Sequence, residues 1–193
     1  MSEPVPEPVP PGLSPAETVH FQLLEKWRGA MDLVGPGPLA PHFIDAAAAI
    51  DTIGPATGAW LDLGSGAGFP GIALAARNPL ATVLLVESRR KRATFLETVL
   101  AQAALAQAGL SNARVACCRS ETLAGPVDGL VSRAYKAPEA VLADADRLLG
   151  PDGRAVLMLG DRDWEPPAGW LIAFLARYEV PDGARRVVVV QRG

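Results

Sequence analysis

The sequence lacks the features of several large protein classes. No apolar run approaches the roughly 20 residues that cross a bilayer, and the first residues hold acids and prolines where a signal peptide would be basic and apolar. The two cysteines, Cys117 and Cys118, are adjacent and cannot form a disulfide framework. No Cys/His cluster has metal-ligand spacing. We therefore expect a cytoplasmic protein without a membrane segment or a metal site.

A general excess of positive charge is absent as well, since the formal net charge is −3 over 193 residues. The charge is unevenly distributed, however, because residues 87–136 hold eight basic and four acidic residues. An apolar content of 49% and a charged content of 20% are typical of globular domains, and the length fits one domain with a substantial core. The sequence thus predicts a single globular domain with one locally basic segment.

The order of predicted elements indicates an α/β domain behind a short leader. Residues 1–12 hold five prolines and no pattern that packs, so we expect them to be disordered. Residues 13–50 form an N-terminal helical extension, opened by a capping box at Ser14 and Glu17. Strands and helices then alternate over 57–193, which predicts a mostly parallel sheet flanked by helices within one domain, 13–193. The expected strands are 60–63, 82–87, 113–117, 127–132, 154–159 and 186–191, and the expected helices of this core are 70–77, 89–108 (capped by Ser88), 138–149 and 167–176.

The most informative segment follows the first predicted strand and reads Asp62-Leu63-Gly64-Ser65-Gly66-Ala67-Gly68-Phe69-Pro70-Gly71. Its glycines let the backbone approach a ligand, and the helix start after them directs N–H groups toward it. Gly66, Gly68 and Gly71 fit the dinucleotide pattern G-x-G-x-x-G. The pattern D-x-G-x-G-x-G fits better and resembles the S-adenosylmethionine (SAM) loop of Rossmann-like methyltransferases. In that interpretation Asp62, Gly64, Gly66 and Gly68 hold the amino-acid end of SAM; a dinucleotide site and a turn without ligand stay open.

Charged residues follow the second strand. Glu87 ends this strand, where a doubly wound sheet places the acid that accepts the ribose hydroxyls of a nucleoside; an ordinary strand-end acid is the alternative. Arg89, Arg90, Lys91 and Arg92 occupy the first turn of the next helix, where cations oppose the helix dipole. A bound phosphate backbone would compensate that cost, and a solvated basic turn is the alternative.

Two more polar groups follow the third and fourth strands, at the carboxyl edge where such sheets bind ligands. Arg119, Ser120 and Glu121 follow the third strand, beside the expected position of the SAM adenine. Arg133 and Lys136 follow the fourth. Arg133 could contact substrate phosphate, base or cofactor, or form a salt bridge to an acid such as Glu121.

Catalytic acids, bases and nucleophiles are scarce. Of the two histidines, we expect His20 to be structural and His42 to line the cleft. The sequence has no [DN]-P-P-[YFW] segment after the fourth strand, which amino-group methyltransferases favour, and no Pro-Cys nucleophile for cytosine C5. Methyl transfer to a ring nitrogen with its own lone pair, such as guanine N7, removes no proton before attack and depends mainly on alignment. A site poor in acid–base residues is consistent with that chemistry.

Together these segments resemble the bacterial small-subunit (16S) ribosomal RNA guanine-N7 methyltransferases of the G type, also called the glucose-inhibited division protein B family. The matching segments are 23–27, 42–45, 61–71, 87–96, 119–121 and 132–134, in the family's order across about residues 20–160. The chain departs from the family at Arg28, Pro41 and Leu159, where the family usually has Asn, Arg and Lys.

The resemblance implies a Rossmann-like SAM-dependent methyltransferase fold and a set of site residues. SAM would be bound by Gly64, Phe69, Ser120, Glu121 and Arg133, with Glu87 on the ribose. The resemblance also implies that Lys91, Arg119 and Arg133 face RNA phosphate or the target guanine. From the residues and the resemblance together, we expect Arg133 and Arg119 to position the substrate without a general base. We expect RNA to be bound by Arg89, Arg90, Lys91, Arg92 and Lys136. The implied substrate is a guanine of small-subunit rRNA near the decoding region, in free rRNA or the 30S particle, and we expect a monomer.

Three other functions stay open from the residues alone. A methyltransferase of a small molecule would need no cationic turn at 89–92, so salt-dependent RNA binding separates it from an rRNA enzyme. An oxidoreductase would bind NAD(H) in place of SAM, which calorimetry distinguishes. A SAM-binding protein without catalysis would bind the cofactor and leave RNA unmodified.

Overall fold

A seven-stranded sheet forms the centre of the computed structural model, which describes residues 7–161, 163–181 and 183–193. The strands are β1 (Gly58–Leu63), β2 (Ala81–Val86), β3 (Ala113–Ala116), β4 (Val127–Arg133), β5 (Leu149–Leu159), β6 (Trp170–Val180) and β7 (Gly183–Arg192). The helices are α1 (Pro15–Trp27), α2 (Ala40–Ile53), α3 (Gly71–Arg77), α4 (Arg90–Leu105) and α5 (Pro138–Leu148), and a short 3-10 turn covers Ser120–Thr122.

The strand order is β3-β2-β1-β4-β5-β7-β6. Strands β1 to β5 pair in parallel, and β7 runs antiparallel to both of its neighbours. From β1 the chain first builds outward through β2 and β3 and then returns to add β4 on the other side. Ligands of open α/β sheets bind at such a reversal, outside the carboxyl ends of the strands. The topology therefore brings the segments after β1, β2, β3 and β4 to one edge.

Both faces of the sheet are covered by helices. On one face α2, α3 and α4 pack against the sheet, and α1 packs on α3 and α4; the buried side chains include Phe21, Phe43 and Phe95. On the other face α5 packs its Leu142 and Leu148 against apolar residues of the central strands. Strands buried on both faces read as nearly continuous apolar runs, which explains why the parallel strands could be located from sequence.

One predicted element has the wrong type. We expected a helix over 167–176, but Trp170–Val180 forms β6, which pairs antiparallel with β7 along its length. A short apolar run is compatible with a helix or a strand. The valine-rich β7 decides between them, because its free edge carries backbone N–H and C=O groups that β6 satisfies.

The described part of the leader contacts the domain, contrary to the disorder expected over 1–12. The Glu7 carboxylate accepts hydrogen bonds from the N–H groups of Leu39 (2.8 and 2.9 Å) and Ala40 (2.9 Å), and it lies 3.7 Å from Arg28 Nη1. These N–H groups belong to the start of α2, which has no side-chain cap of its own. Glu7 therefore acts as the acceptor for that helix end; residues 1–6 lie outside the described residues.

Candidate functional site

The loop after β1 follows a backbone path that favours glycine. Gly64, Gly66 and Gly68 have φ values of +73°, +56° and +105°, in the region that other residues rarely adopt. A Cβ atom on Gly64 would lie 2.3 Å from the Tyr135 ring, so the loop passes directly against that ring. The Gly64 N–H donates to the Val86 carbonyl at 3.0 Å, which ties the loop to the end of β2.

Asp62 lies under this loop and is fully buried. Its Oδ2 accepts a hydrogen bond from the Gly71 N–H at 3.1 Å and so fixes the first turn of α3, while Oδ1 has no partner among the described residues. Burial raises the pKa of Asp62 to about 7. The carboxylate supports the loop from below and is not among the residues that line the adjacent pocket, so direct contact with a cofactor stays a prediction.

The second half of the loop faces the core. A Cβ atom on Gly68 would lie 3.1 Å from the His20 ring and 2.4 Å from Ile72 Cδ1. His20 Nε2 donates to the Ala67 carbonyl at 2.6 Å, and burial lowers the pKa of His20 to about 4, so the ring is neutral at pH 7. Phe69 is buried as well. Gly68 and Phe69 thus shape the loop from the inside, and His20 has the structural position that we expected.

A polar pocket of about 460 Å³, called the first pocket below, opens at the carboxyl ends of β1 to β4. Its lining residues are Gly64, Val86, Glu87, Ser88, Arg89, Arg92, Cys118, Arg119, Ser120, Glu121, Ala134, Tyr135 and Lys136. The volume lies within the range of small-molecule sites, about 300–1,000 Å³. Of the residues predicted to bind the cofactor, the structure brings four together in this pocket: Gly64, Glu87, Ser120 and Glu121. The others do not line it: Asp62, Gly66, Gly68, Phe69 and Arg133.

Glu87 forms one wall of the first pocket. Its Oε2 accepts a hydrogen bond from the Gly66 N–H at 3.0 Å, and its Oε1 accepts one from the Arg89 N–H at 2.7 Å. A carboxylate has about four lone-pair positions, so both oxygens can accept further donors. The cap expected from Ser88 is wrong, because α4 begins at Arg90 with Arg89 as its N-cap residue and no side-chain cap.

Ser120 links the polar side chains of the opposite wall of the first pocket to one another. Its hydroxyl donates to Asp144 Oδ2 at 3.0 Å and lies within hydrogen-bond distance of the Tyr135 hydroxyl (3.0 Å) and Lys136 Nζ (3.3 Å). Lys136 Nζ also donates to Asp144 at 3.0 Å and Glu121 at 3.1 Å. Desolvation lowers the pKa of Lys136, but these carboxylates outweigh it and raise that pKa above its usual value. The ammonium predicted to bind RNA is thus engaged by carboxylates of its own chain.

The four cations at the start of α4 divide into two groups. Arg89 and Arg92 line the first pocket, and Arg92 Nη2 donates to the Asp32 carbonyl at 2.6 Å. Arg90 and Lys91 are exposed outside it. Arg119 is exposed and also lines the pocket. The structure therefore places cations both inside the pocket and around its outer edge.

A second pocket of about 420 Å³ adjoins the first and shares Ala134 and Lys136 with it. Its remaining lining residues are Pro41, His42, Asp45, Arg133, Pro138, Met158, Leu159, Gly160 and Arg185. Ala134 has φ +53°, a value uncommon for a residue other than glycine, and it separates the two pockets. His42 lines this cleft as we expected. Leu159, where we noted the absence of a lysine, forms part of its wall.

Arg133 faces the second pocket and is held by α2. Its Nη1 donates to Asp45 Oδ2 at 3.0 Å, and its guanidinium carbon lies 4.7 Å from the centroid of the Phe69 ring. Arg133 therefore forms the salt bridge to an acid that we gave as the alternative, but the acid is Asp45, whereas Glu121 pairs with Lys136. Sequence reasoning assigned no role to Asp45, although it ends the segment 42–45, because nothing local indicates a partner 88 residues away.

No helix in the described part of the chain combines the length and the apolar character that a membrane crossing requires. The family model described as rRNA small subunit methyltransferase G matches residues 18–166. The chain is 37% identical over 186 residues to the Ribosomal RNA small subunit methyltransferase G of Xanthomonas axonopodis pv. citri (strain 306), covering 90% of this chain and 84% of that protein. It is 35% identical over 190 residues to the protein of the same name from Stenotrophomonas maltophilia (strain K279a), covering 92% and 86%.

A likeness to solved structures extends over nearly the whole chain. The Burkholderia thailandensis 1,6-didemethyltoxoflavin-N1-methyltransferase, crystallised with S-adenosylhomocysteine, has a TM-score of 0.58 with this chain at 17% identity. The match covers 97% of this chain and 93% of that one. At this level of identity the likeness establishes the fold, which is the Rossmann-like methyltransferase fold that the sequence predicted.

Proposed function

The chain belongs to the rRNA small subunit methyltransferase G family, and from this premise we propose that it transfers a methyl group from SAM to N7 of a guanine in small-subunit (16S) ribosomal RNA. The family, the enzyme class and the use of SAM that the motifs predicted are thereby confirmed. The proposal that the acceptor is N7 of a guanine rests on one observation: two adjacent pockets share Ala134 and Lys136. One pocket suits a nucleoside cofactor and the other a nucleobase, with a single turn of backbone between them.

We propose that the first pocket binds SAM, which supplies the methyl group. Glu87 suits the ribose hydroxyls, because it directly follows β2 and both carboxylate oxygens keep acceptor capacity beyond the Gly66 and Arg89 N–H groups. The space beside Gly66 is open, since a Cβ atom there would meet no described atom closer than 3.7 Å. Ser120 and Glu121 follow β3, where the adenine of such a cofactor lies.

The second pocket would hold the target guanine. Its cationic lining includes Arg133, and an arginine N–H is a suitable donor to guanine O6. Guanine N7 has a lone pair and no proton to lose, so the reaction needs alignment of the base with the methyl group more than a general base. Positioning of that kind contributes about 7–11 kcal/mol in favourable cases. The sequence has neither the [DN]-P-P-[YFW] segment of amino-group methyltransferases nor a Pro-Cys nucleophile, and this supports N7 as the acceptor.

The exposed cations around the first pocket would bind the RNA backbone. Arg90, Lys91 and Arg119 lie at the carboxyl edge of the sheet and are exposed, so they can reach phosphates without disturbing the fold. Lys136 is a weaker candidate for this role, because its ammonium already bonds Asp144 and Glu121. We further propose that the protein works in the cytoplasm as a monomer, on rRNA or the 30S particle.

A methylation assay tests this function. Small-subunit rRNA from a strain deleted for the gene would be incubated with the protein and radiolabelled SAM, once as free rRNA and once as 30S particles. We expect one guanine to become labelled and the chain to break there after borohydride and aniline treatment, which cleaves at 7-methylguanosine. Label that enters no RNA, or that lies on an atom other than guanine N7, would contradict the proposal. The same rRNA from the undeleted strain is the control and should accept little label.

A further inference from the structure

Arg133 is bound by a carboxylate, and that carboxylate is bound in turn by a phenol. Asp45 on α2 is 7% exposed, and its Oδ2 lies 3.0 Å from Arg133 Nη1. Its Oδ1 accepts a hydrogen bond from the Tyr178 hydroxyl at 2.8 Å. The two oxygens of one buried carboxylate are therefore engaged by different elements, β4 on one side and β6 on the other.

These contacts restrict the Arg133 side chain strongly. The Phe69 ring lies on one side of the guanidinium, Asp45 accepts one of its five N–H donors, and only 19% of the side chain is exposed. A free arginine side chain would lose up to about 2 kcal/mol of conformational entropy on becoming ordered at a substrate. Here that ordering is achieved in the folded protein, and the side chain still lines the second pocket.

We propose that Asp45 and Tyr178 are positioning residues for methyl transfer: the Tyr178 hydroxyl orients the Asp45 carboxylate, and Asp45 holds the Arg133 guanidinium over Phe69 for contact with the target base. This inference rests on the proposed function, in which Arg133 contacts the guanine. In this proposal β6 contributes to the site, because it places the Tyr178 hydroxyl against Asp45 of α2.

Two single substitutions test the two links. Tyr178→Phe removes only the hydroxyl, and we expect kcat with rRNA to fall about tenfold because small errors of alignment are costly in such reactions. Asp45→Asn removes the charge that holds Arg133, and we expect a fall of about 100-fold. In both variants the affinity for SAM, measured by calorimetry, should fall by much less than kcat, because Arg133, although also predicted to bind SAM, does not line the first pocket. Wild-type kcat in Tyr178→Phe, or loss of SAM affinity equal to the loss of kcat, overturns the proposal.

Matched controls are available on the same two elements. Glu179→Gln alters the exposed neighbour of Tyr178 on β6, and Asp51→Asn makes the same chemical change as Asp45→Asn at an exposed position of α2. Both should keep wild-type kcat. If Tyr178 acts only through Asp45, the double variant Asp45→Asn/Tyr178→Phe should have the kcat of Asp45→Asn alone. Losses that multiply in the double variant contradict this relay.

An absorbance titration tests the contact without any assay of activity. The chain has two tyrosines, Tyr135 and Tyr178, and burial together with the Asp45 charge raises the pKa of Tyr178 well above its usual value. We expect Asp45→Asn to move this titration to lower pH and Asp51→Asn to leave it in place. A titration that moves to lower pH equally in Asp45→Asn and Asp51→Asn overturns the proposal. Wild-type protein that does not methylate rRNA would instead contradict the proposed function, and the role in positioning with it.

Discussion

Two buried titratable side chains support the glycine-rich loop from within, and they oppose each other in their response to pH. The pKa of Asp62 is raised by burial from 3.8 to about 7, so the folded protein keeps a proton that the unfolded chain has lost between these values. The pKa of His20 is lowered by burial from 6.5 to about 4, so the unfolded chain gains a proton that the folded protein does not. Stability therefore falls with rising pH through Asp62 and rises with it through His20.

Asp62→Asn removes the decrease in stability with rising pH that Asp62 causes. We expect the free energy of unfolding of this variant to rise relative to wild type between about pH 5 and about pH 8, by on the order of 2–3 kcal/mol. Urea denaturation at a series of pH values measures the difference. Asp51→Asn, at an exposed position of α2, controls for the loss of a carboxylate. A difference between Asp62→Asn and wild type that does not vary with pH would show that Asp62 is ionised throughout.

Residues of the site could be predicted where the signal is local. The loop from Gly64 and the acid at Glu87 lie within consecutive elements, and both line the first pocket. The partners of Ser120 and Arg133 could not be predicted, because Asp144 and Asp45 reach them from α5 and α2 through the tertiary fold. A sequence indicates that a charged group needs a partner, but it does not indicate which partner the fold supplies.

At the scale of elements, one buried ion pair locks α1 to α3. The Glu17 carboxylate is 2% exposed and accepts hydrogen bonds from Arg77 Nη2 at 3.0 Å and Nε at 3.1 Å. The same carboxylate accepts the Ser14 N–H at 2.9 Å, which completes the predicted capping box. Arg77 is the last residue of α3, so this pair fixes the end of α3 that lies away from the glycine-rich loop.

Arg77→Met should destabilise the protein by about 3 kcal/mol, because it leaves the buried Glu17 carboxylate without its cation. The double variant Glu17→Gln/Arg77→Met should recover part of this loss, since no unpaired charge is then buried. Chemical denaturation measures both. Asp51→Asn removes the exposed partner of Arg77, a pair worth at most about 1 kcal/mol, and serves as the control. Equal destabilisation by Asp51→Asn and Arg77→Met would contradict this account of the α1–α3 contact.

The types of most elements could be read from periodicity and turn residues, and β6 shows where that method fails. Its apolar segment is short, and four of its large side chains, at Leu171, Ile172, Phe174 and Leu175, are at least 40% exposed. Such a segment carries neither the alternation of a half-buried strand nor the one-sided pattern of a surface helix. Pairing with β7 determines the structure of β6, and the sequence of β6 alone does not indicate this pairing. The misassigned strand is also the one that carries Tyr178.

At the scale of the whole molecule, an acidic chain presents cations where the proposed substrate is a polyanion. The net charge is −3, yet Arg90, Lys91 and Arg119 are exposed at the carboxyl edge of the sheet. Placement at this edge follows from the parallel βαβ order, which the alternation of elements predicted. The division of the edge into two pockets was not predictable, because it depends on the turn at Ala134 and on α2 closing the second pocket.

The double variant Arg90→Ala/Lys91→Ala should weaken rRNA binding without altering SAM binding. We expect the slope of log K against log[salt] to become shallower by about 1 for each phosphate that the variant no longer neutralises. Filter binding across a salt series measures the slope, and calorimetry measures the SAM affinity. Lys26→Ala, at an exposed position in the last turn of α1, is the matched control. A salt slope equal to that of wild type would remove these residues from the RNA-binding surface.

The most direct test of the whole account is a crystal structure of the protein with S-adenosylhomocysteine, the demethylated product of SAM. We expect the ribose hydroxyls within hydrogen-bond distance of Glu87, the adenine beside Ser120 and Glu121, and the sulfur at Ala134, directed into the second pocket toward Arg133. A ligand that occupies the second pocket, or whose sulfur points away from it, would contradict the assignment of the two pockets.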